Sequence, residues 1–584
     1  MEVLEIIKNL DWLRQDIIGR NKLFETPLGQ RPLVYADYTA SGRNLFSIEN
    51  YLMKIMQYYA NTHTEDDFTG KTMTNLLHEA EKTIKKALNA GKEGKIIFTE
   101  SGTTGGITRL QEILGVFWPP ATKKRVFDFF KSCEERYPER KRCNLELRKY
   151  FNTHQSIVFV GPYEHHSNEI MWRQTLCKVV QIPLDKKGEL DLKALENELI
   201  RHQTEDRLKI GSFSAASNVT GLKTPVYKVA ELMHKYNGIA CFDYAACGPY
   251  IEINMNKNSK SYFDAVYLSP HKFLGGPGTS GILVFNQKIY PADLPPTIAA
   301  GGTVDYVSKD GEEYIKDIET REKPGTPGIL QAIKTALVFQ LKEKVGLENI
   351  EKIEKFYYKR FKKAFQNNAK IEFYGIQDVD KKVPIIPFNI KHKDRILHPK
   401  FVTRLMNDLF GIQTRAGCSC AGPYGHTLMH IEKQISEYYR CMITNVGYKG
   451  IKPGWVRLNL HYALSEAEFQ YLIDAIKFVI KYGHRFLPLY EFDIRTGAWT
   501  HLEETLKQPI RLDIEKAFQN SKLALQSNSD TTNYYNEALQ AASEKAKSLP
   551  DEYEVIEFEE QLEKLIFFYV NKIKNYRKIE MRSI

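Results

Sequence analysis

From about residue 31 to residue 330, short apolar runs alternate with amphipathic helical stretches, and no other feature of the chain restricts its fold as much. A run of four to six apolar residues bounded by turn residues is the mark of a strand buried on both faces. Stretches with 3.6-residue periodicity between such runs supply the helices that cover those faces. Strands are expected at Lys95–Thr99, Ser156–Gly161, Leu208–Phe213, Ile239–Asp243, Ala265–Leu268 and Gly281–Phe285. Helices are expected at Thr74–Asn89, Thr104–Phe117, Leu192–His202 and Pro225–Tyr236. The pattern specifies an α/β fold around a mainly parallel sheet. After Pro327 a long helical stretch, Ile329–Gln366, leads into an α+β unit with strands near Ile371–Tyr374, Ile385–Ile390 and Val456–Leu460 and a helix near Glu466–Tyr482.

A chain of 584 residues is too long for one compact core. The expected division is an N-terminal arm (1–30), a large α/β domain (31–328), a smaller α+β domain (329–485) and a helical C-terminal extension (486–584). Two segments read as additions. Pro119–Gln155 is charged, with Lys123, Lys124, Arg125, Arg140, Lys141 and Arg142, and it interrupts a helix-to-strand connection. The tail has a polar linker, SNSDTTNYYN, then an expected helix with Leu562, Leu565, Ile566, Tyr569 and Ile573 on one face. Both read as solvated helical decorations. A net charge of +10 without a clustered basic stripe is no nucleic-acid signature. No apolar run is long enough to span a bilayer, and the opening MEVLEIIKNLDWLRQD lacks the basic-then-apolar form of an export signal. Of the eight cysteines only Cys418 and Cys420 lie close together, a pattern suited to free thiols in a reducing compartment. The expectation is a cytoplasmic protein with no nucleic-acid or membrane partner.

Three motifs carry chemistry. In SPHKFLGGPGTSG, Lys272 follows an expected strand end, beside His271 and a glycine run, where an amine has room to form a Schiff base. An exposed loop lysine is the plain alternative. Asp243 follows the strand of GIACFDYAACG, twenty-nine residues before Lys272. A carboxylate there can keep a pyridinium nitrogen protonated, and a helix cap is its plain alternative. KIIFTESGTTGGITRL runs strand, Ser/Gly/Thr turn, helix, and offers free N–H groups with the Thr103 and Thr104 hydroxyls as a phosphate seat. Together they suit a phosphate-bearing aromatic aldehyde, pyridoxal 5'-phosphate, attached to Lys272.

With YADYTASGR, NTHTEDDFTG, FTESGTTGGI, EHHSNE, SNVTG, FDYAA, SPHKFLGGPG, GGTV, PGTP, RAGCSCAG and VRLNL in order from Tyr35 to about Ile480, the chain resembles the class V aminotransferase-fold enzymes, and within them the cysteine desulfurase and selenocysteine lyase group. The resemblance implies a type I pyridoxal-phosphate fold and a homodimer. It also implies roles. Lys272 carries the cofactor, Asp243 holds the pyridine nitrogen, His165 stacks on the ring and Asn218 reaches the ring hydroxyl. Thr103, Thr104, Ser269 and His271 hold the phosphate, with Thr303 contributing to a neighbouring subunit's phosphate site. Arg457 and Arg415 bind substrate. The family's Asp-x-Ala-Gln run reads Asp243-Tyr244-Ala245-Ala246 here, so an alanine stands where a glutamine touches the ring hydroxyl.

RAGCSCAGPYGH, residues 415–426, bears on sulfur. Cys420 matches the sulfur-accepting cysteine of one branch of the family and Arg415 the arginine before it. A nearby arginine favours the thiolate, the attacking form. The expected reaction removes sulfur or selenium from L-cysteine or an analogue through a Cys420 persulfide, releases alanine and hands sulfur to an acceptor protein. Other readings stand beside it: small buried cysteines, a metal site of Cys418, Cys420, His426 and His430 (whose spacing is far too short for a zinc finger), and a likeness to molybdenum-cofactor sulfurases. Transamination, β-elimination or a non-catalytic scaffold complete the alternatives.

Overall fold

The computed structural model describes residues 2–62, 64, 66–137, 146, 149–150, 153–203, 206–504 and 531–577. The chain forms two compact units, one of Ser41–Glu348 and one of Met1–Ala40 with Asn349–Ile584.

The Ser41–Glu348 unit is built on a seven-stranded sheet. Its strands are β1 (Gly94–Thr99), β2 (Ile157–Val160), β3 (Lys178–Gln181), β4 (Lys209–Ser214), β5 (Gly238–Asp243), β6 (Ala265–Leu268) and β7 (Gly281–Asn286), in the order β1-β7-β6-β5-β4-β2-β3. Strands β3, β2, β4, β5 and β6 run parallel, and β7 is antiparallel to both β6 and β1. The expected six strands are all present. The seventh, KVVQ, escaped notice because its residues are half-buried or exposed and show no continuous apolar run. Helices Phe68–Ala87, Thr103–Ile113, Leu192–Arg201 and Val226–Lys235 follow the expected ones within a few residues, except that the first starts six residues earlier, at an Asp67 cap accepting from Gly70 N–H. The core lies where Thr103–Ile113 covers the sheet, through Ile107, Leu110 and Ile113 against Ile97, Tyr267 and Leu283.

The stretch expected as one helix over Ile329–Gln366 is two, Ile329–Val345 and Leu347–Phe365, broken at Gly346 with φ of +86°. Ile329–Val345, placed by sequence with the smaller domain, belongs to the Ser41–Glu348 unit, where it packs on Phe68–Ala87. It is buried nearly all round, so it lacks the one-sided pattern of a surface helix.

The other unit carries an antiparallel sheet of β8 (Ile371–Phe373), β9 (Ile385–His392), β10 (Arg415–Gly417) and β11 (Trp455–Asn459), in the order β8-β9-β11-β10. Helix Glu466–Tyr482 opens on a full capping box between Ser465 and Glu468. The described residues 2–40 and 531–577 are both part of this unit. In the N-terminal arm, buried Arg14 donates from Nε to the Ala463 carbonyl and from Nη2 to the Leu464 carbonyl, both at 3.1 Å.

The tail corrects two expectations. It is no solvated decoration: helix Thr532–Ser548 buries Tyr535, Ala538, Ala542 and Ala546, and Tyr535 stacks on Tyr471 at 4.3 Å. The expected helix through Leu562–Ile573 is only Glu560–Glu563. Beyond it Ile566, Phe568 and Val570 are buried alternately, and Ile573–Lys574 pairs in parallel with Tyr490–Asp493. The run IFFYV is rich in aromatic and β-branched residues, which favour the extended form. Of the charged insertion, Lys123, Lys124 and Arg125 lie on an outlying helix, Pro120–Arg136, while Arg140, Lys141 and Arg142 fall outside the described residues. The linker SNSDTTNYYN begins outside them too, and its later part opens the Thr532–Ser548 helix. Among the described residues no helix is long and apolar enough to cross a membrane.

Candidate functional site

In the Ser41–Glu348 unit, the expected cofactor residues gather at the C-terminal ends of the parallel strands, where open α/β sheets bind ligands. Asp243 closes β5. Lys272 ends a short 3-10 turn, Pro270–Lys272, that follows β6. His165 follows β2, and Asn218 follows β4. Thr103 and Thr104 open the helix after β1.

Hydrogen bonds tie these pieces together. The Thr103 N–H donates to Ser269 Oγ at 2.9 Å, and the Ser269 hydroxyl donates back to Thr103 Oγ1 at 3.0 Å. The Ala245 N–H donates to Asp243 Oδ1 at 2.8 Å, and the Thr103 hydroxyl favours the charged form of that buried carboxylate. The Thr104 hydroxyl meets Ser167 Oγ at 2.8 Å, and the Ser167 N–H donates to His165 Nδ1 at 3.2 Å. A backbone donor at Nδ1 leaves the ring proton of neutral His165 on Nε2. Gly102, before the helix, has φ of +59° and ψ of −143°. A Cβ there would stand 2.7 Å from Ser269 Oγ and 3.0 Å from His271 Cε1. Only glycine keeps that space open.

The electrostatics are those of a guarded site. Burial raises the Asp243 carboxyl above its ordinary range, against the Ala245 N–H, the charge of Lys272 and the Thr103 hydroxyl. Burial, then Lys272, pushes His271 down to about 4, so it is neutral near pH 7. Glu164, inside the EHHSNE motif but given no role from sequence, is fully buried and pushed up to about 7 by burial. It accepts from the Ser214 hydroxyl at 2.6 Å and from Asn168 Nδ2 at 2.7 Å. Asn218 and Ala246 are buried. Thr303 is fully buried, with its hydroxyl donating to the Ala300 carbonyl at 2.7 Å in its own turn.

The sulfur and substrate residues belong to the other unit. Arg415 and Arg457 are partners across β10 and β11. One carboxylate serves both: Asp37 Oδ2 accepts from Arg415 Nε at 2.8 Å and Oδ1 from Arg457 Nη2 at 3.0 Å. Sequence reasoning missed Asp37, although it lies in the YADYTASGR motif. Past β10 the chain turns through Ser419 (φ +52°) and Cys420 (φ +56°), which leaves the Cys420 side chain exposed and Cys418 half-buried. Two successive non-glycine residues in the left-handed region are costly, and such strain gathers at functional turns. Among the described residues, no group of three or more His, Cys, Asp or Glu side chains comes together to hold a metal ion.

The seven-stranded sheet, with a lysine, an aspartate and a helix terminus at its strand ends, defines an α/β enzyme of the type I pyridoxal-phosphate fold. The chain belongs to the class V aminotransferase family, whose model matches residues 34–121 and 143–472. The unmatched residues between fall in the charged insertion. A probable cysteine desulfurase of Halalkalibacterium halodurans is 26% identical over 397 residues, covering 67% of this chain and 85% of that protein. One of Staphylococcus aureus strain Mu50 is 27% identical over 430 residues, covering 72% and 88%. Among solved structures, the apo cysteine desulfurase of Thermococcus onnurineus NA1 superposes with a TM-score of 0.61 at 22% identity, covering 81% of this chain and 98% of that one.

Proposed function

We propose that the chain is a pyridoxal-phosphate-dependent cysteine desulfurase, working as a homodimer that passes sulfur to an acceptor protein. Two features of the Ser41–Glu348 unit support the cofactor. The cradle that a Gly102 Cβ would fill, lined by Ser269 and His271 at a helix start, suits a phosphate. The buried Asp243 carboxyl stays raised by desolvation even with the charge of Lys272 acting on it, and a protonated ring nitrogen would offset that cost. Lys272 would carry the group, His165 cover its ring, Asn218 meet its hydroxyl and Thr104 complete the phosphate contacts, with Thr303 contributing to the site of the neighbouring subunit once its hydroxyl leaves the Ala300 carbonyl. Bound there, pyridoxal phosphate supplies an electron sink for bonds broken at the substrate's α and β carbons.

The chain's own residues do the rest. The Arg457 guanidinium binds the substrate carboxylate, with Arg415 beside it. Lys272 Nζ moves the proton at the α carbon. The Cys420 thiolate attacks the substrate sulfur, so that an S–S bond forms as the C–S bond breaks. L-cysteine and the Cys420 thiol then give alanine and a Cys420 persulfide, with atoms and electrons balanced.

The observation that carries the sulfur reading is the exposed Cys420 on its left-handed turn beside the arginine pair. Incubation with L-cysteine and a thiol reductant, which reduces the persulfide and frees its outer sulfur, should yield alanine and sulfide in equal amounts. Cys420→Ala should lose both while keeping the visible absorption of the bound cofactor. Unchanged alanine release by Cys420→Ala would overturn this role for the cysteine.

A further inference from the structure

Two guanidiniums lie opposite each other on neighbouring strands, and both are held by Asp37. The two links are unequal. The Arg415 side chain is 56% exposed, and an ion pair so open to water counts for little. The Arg457 side chain is 5% exposed and that of Asp37 10%, so their bond is shielded and a lost partner is felt strongly. Burial lowers the Arg457 pKa, while the charge and hydrogen bond of Asp37 work against that lowering.

The backbone fixes where this carboxylate stands. Val34–Tyr35 pairs in parallel with Ile412–Gln413, just before Arg415. The Ala36 N–H donates to the Gln413 carbonyl at 3.0 Å, and the Asn459 N–H donates to the Ala36 carbonyl at 2.9 Å. Asp37 therefore follows a segment bonded to the strand that bears Arg457 and to the residues that lead into the strand of Arg415. One carboxylate against two guanidiniums leaves a local charge suited to one further carboxylate, and a fork of five donors can serve two carboxylates at once.

We propose that Asp37 is the positioning residue of the substrate-carboxylate site, holding Arg457 in one orientation and keeping the like-charged Arg415 from displacing it. The inference rests on the reading of Arg457 as the carboxylate ligand. Without the shared carboxylate the two guanidiniums repel, and Arg457 leaves the position from which it binds.

The test uses the cofactor-loaded protein, with amino-acid binding read from the change in its visible spectrum and turnover read with L-cysteine. For Asp37→Asn, Kd and KM should rise about tenfold to a hundredfold, the loss of a charged hydrogen bond, while kcat stays within about twofold. Asp37→Glu, which keeps the charge one methylene away, should bind between the two, and it carries the test if the amide variant does not fold. The double variant with Arg457→Ala should bind no worse than Arg457→Ala alone, because Asp37 acts through that arginine. Normal binding by the Asp37 variants in an enzyme whose wild type makes alanine, or losses that add in the double variant, would overturn the role of Asp37 and leave the desulfurase reading standing. Asp37-dependent binding in a wild type that makes no alanine would uphold Asp37 and overturn that reading.

Discussion

At the scale of single residues, the site depends on small groups in unusual conformations. Lys272 is the only attachment point proposed for the cofactor, so Lys272→Ala should abolish the visible absorption band of the purified protein. Gly102→Ala is the sharper test of the phosphate seat. The new methyl would meet Ser269 Oγ at 2.7 Å on a backbone that only glycine adopts readily. Such strain costs about 1–3 kcal/mol, so the variant should bind pyridoxal phosphate about tenfold or more weakly in a fluorescence titration. The placement of Lys272, Asp243 and the Thr103–Thr104 turn at strand ends was legible in the sequence because each closes or follows an apolar run. The Asp37 bridge was not. Its partners lie 378 and 420 residues away, and no spacing rule spans that distance.

At the scale of elements, strands buried on both faces were the readable ones, since continuous apolar runs have few other fates. β3 and β10 were missed because one is half-solvated and the other, Arg-Ala-Gly, holds no apolar run. The tail shows how two periods compete. Leu562, Leu565, Ile566, Tyr569 and Ile573 fit a helical face, yet Ile566, Phe568 and Val570 also fit a strand, and burial follows the second pattern. Phe568 is fully buried, with its ring against His398 at 4.4 Å and Phe492 at 5.2 Å. Phe568→Ala should therefore cost about 3–5 kcal/mol, measured by denaturant unfolding. A helical, solvated tail would lose almost nothing.

At the scale of the whole molecule, buried histidines should make the protein sensitive to mild acid. His398 caps helix Pro399–Phe410: its Nδ1 accepts from the Lys400 N–H at 3.1 Å, and its Nε2–H donates to the Gly450 carbonyl at 3.0 Å. His461 Nδ1 accepts likewise from the Ala463 N–H at 3.1 Å. Protonating either Nδ1 breaks a backbone bond inside a dry core, and burial holds both rings down to about 3. An unfolded histidine takes its proton near pH 6.5, so the folded state binds fewer protons below that pH. The stability these rings contribute is complete above pH 6.5 and is lost as the pH falls toward 3. Glu164 works the other way. Its folded value of about 7 lies above its ordinary 4.5, so its contribution is complete below pH 4.5 and is lost as the pH rises toward 7. Each of the two buried histidines should therefore steepen the loss of stability on acidification from pH 6.5 to 5 by up to about 1.4 kcal/mol per pH unit, and His271, held down to about 4, acts in the same direction. His398→Asn keeps an acceptor at the helix cap and removes the titrating ring. In denaturant melts across that range its profile should be flatter by about the same amount per pH unit, even if the variant is less stable at pH 7. A profile as steep as that of the wild type would show that the His398 ring is protonated inside the fold.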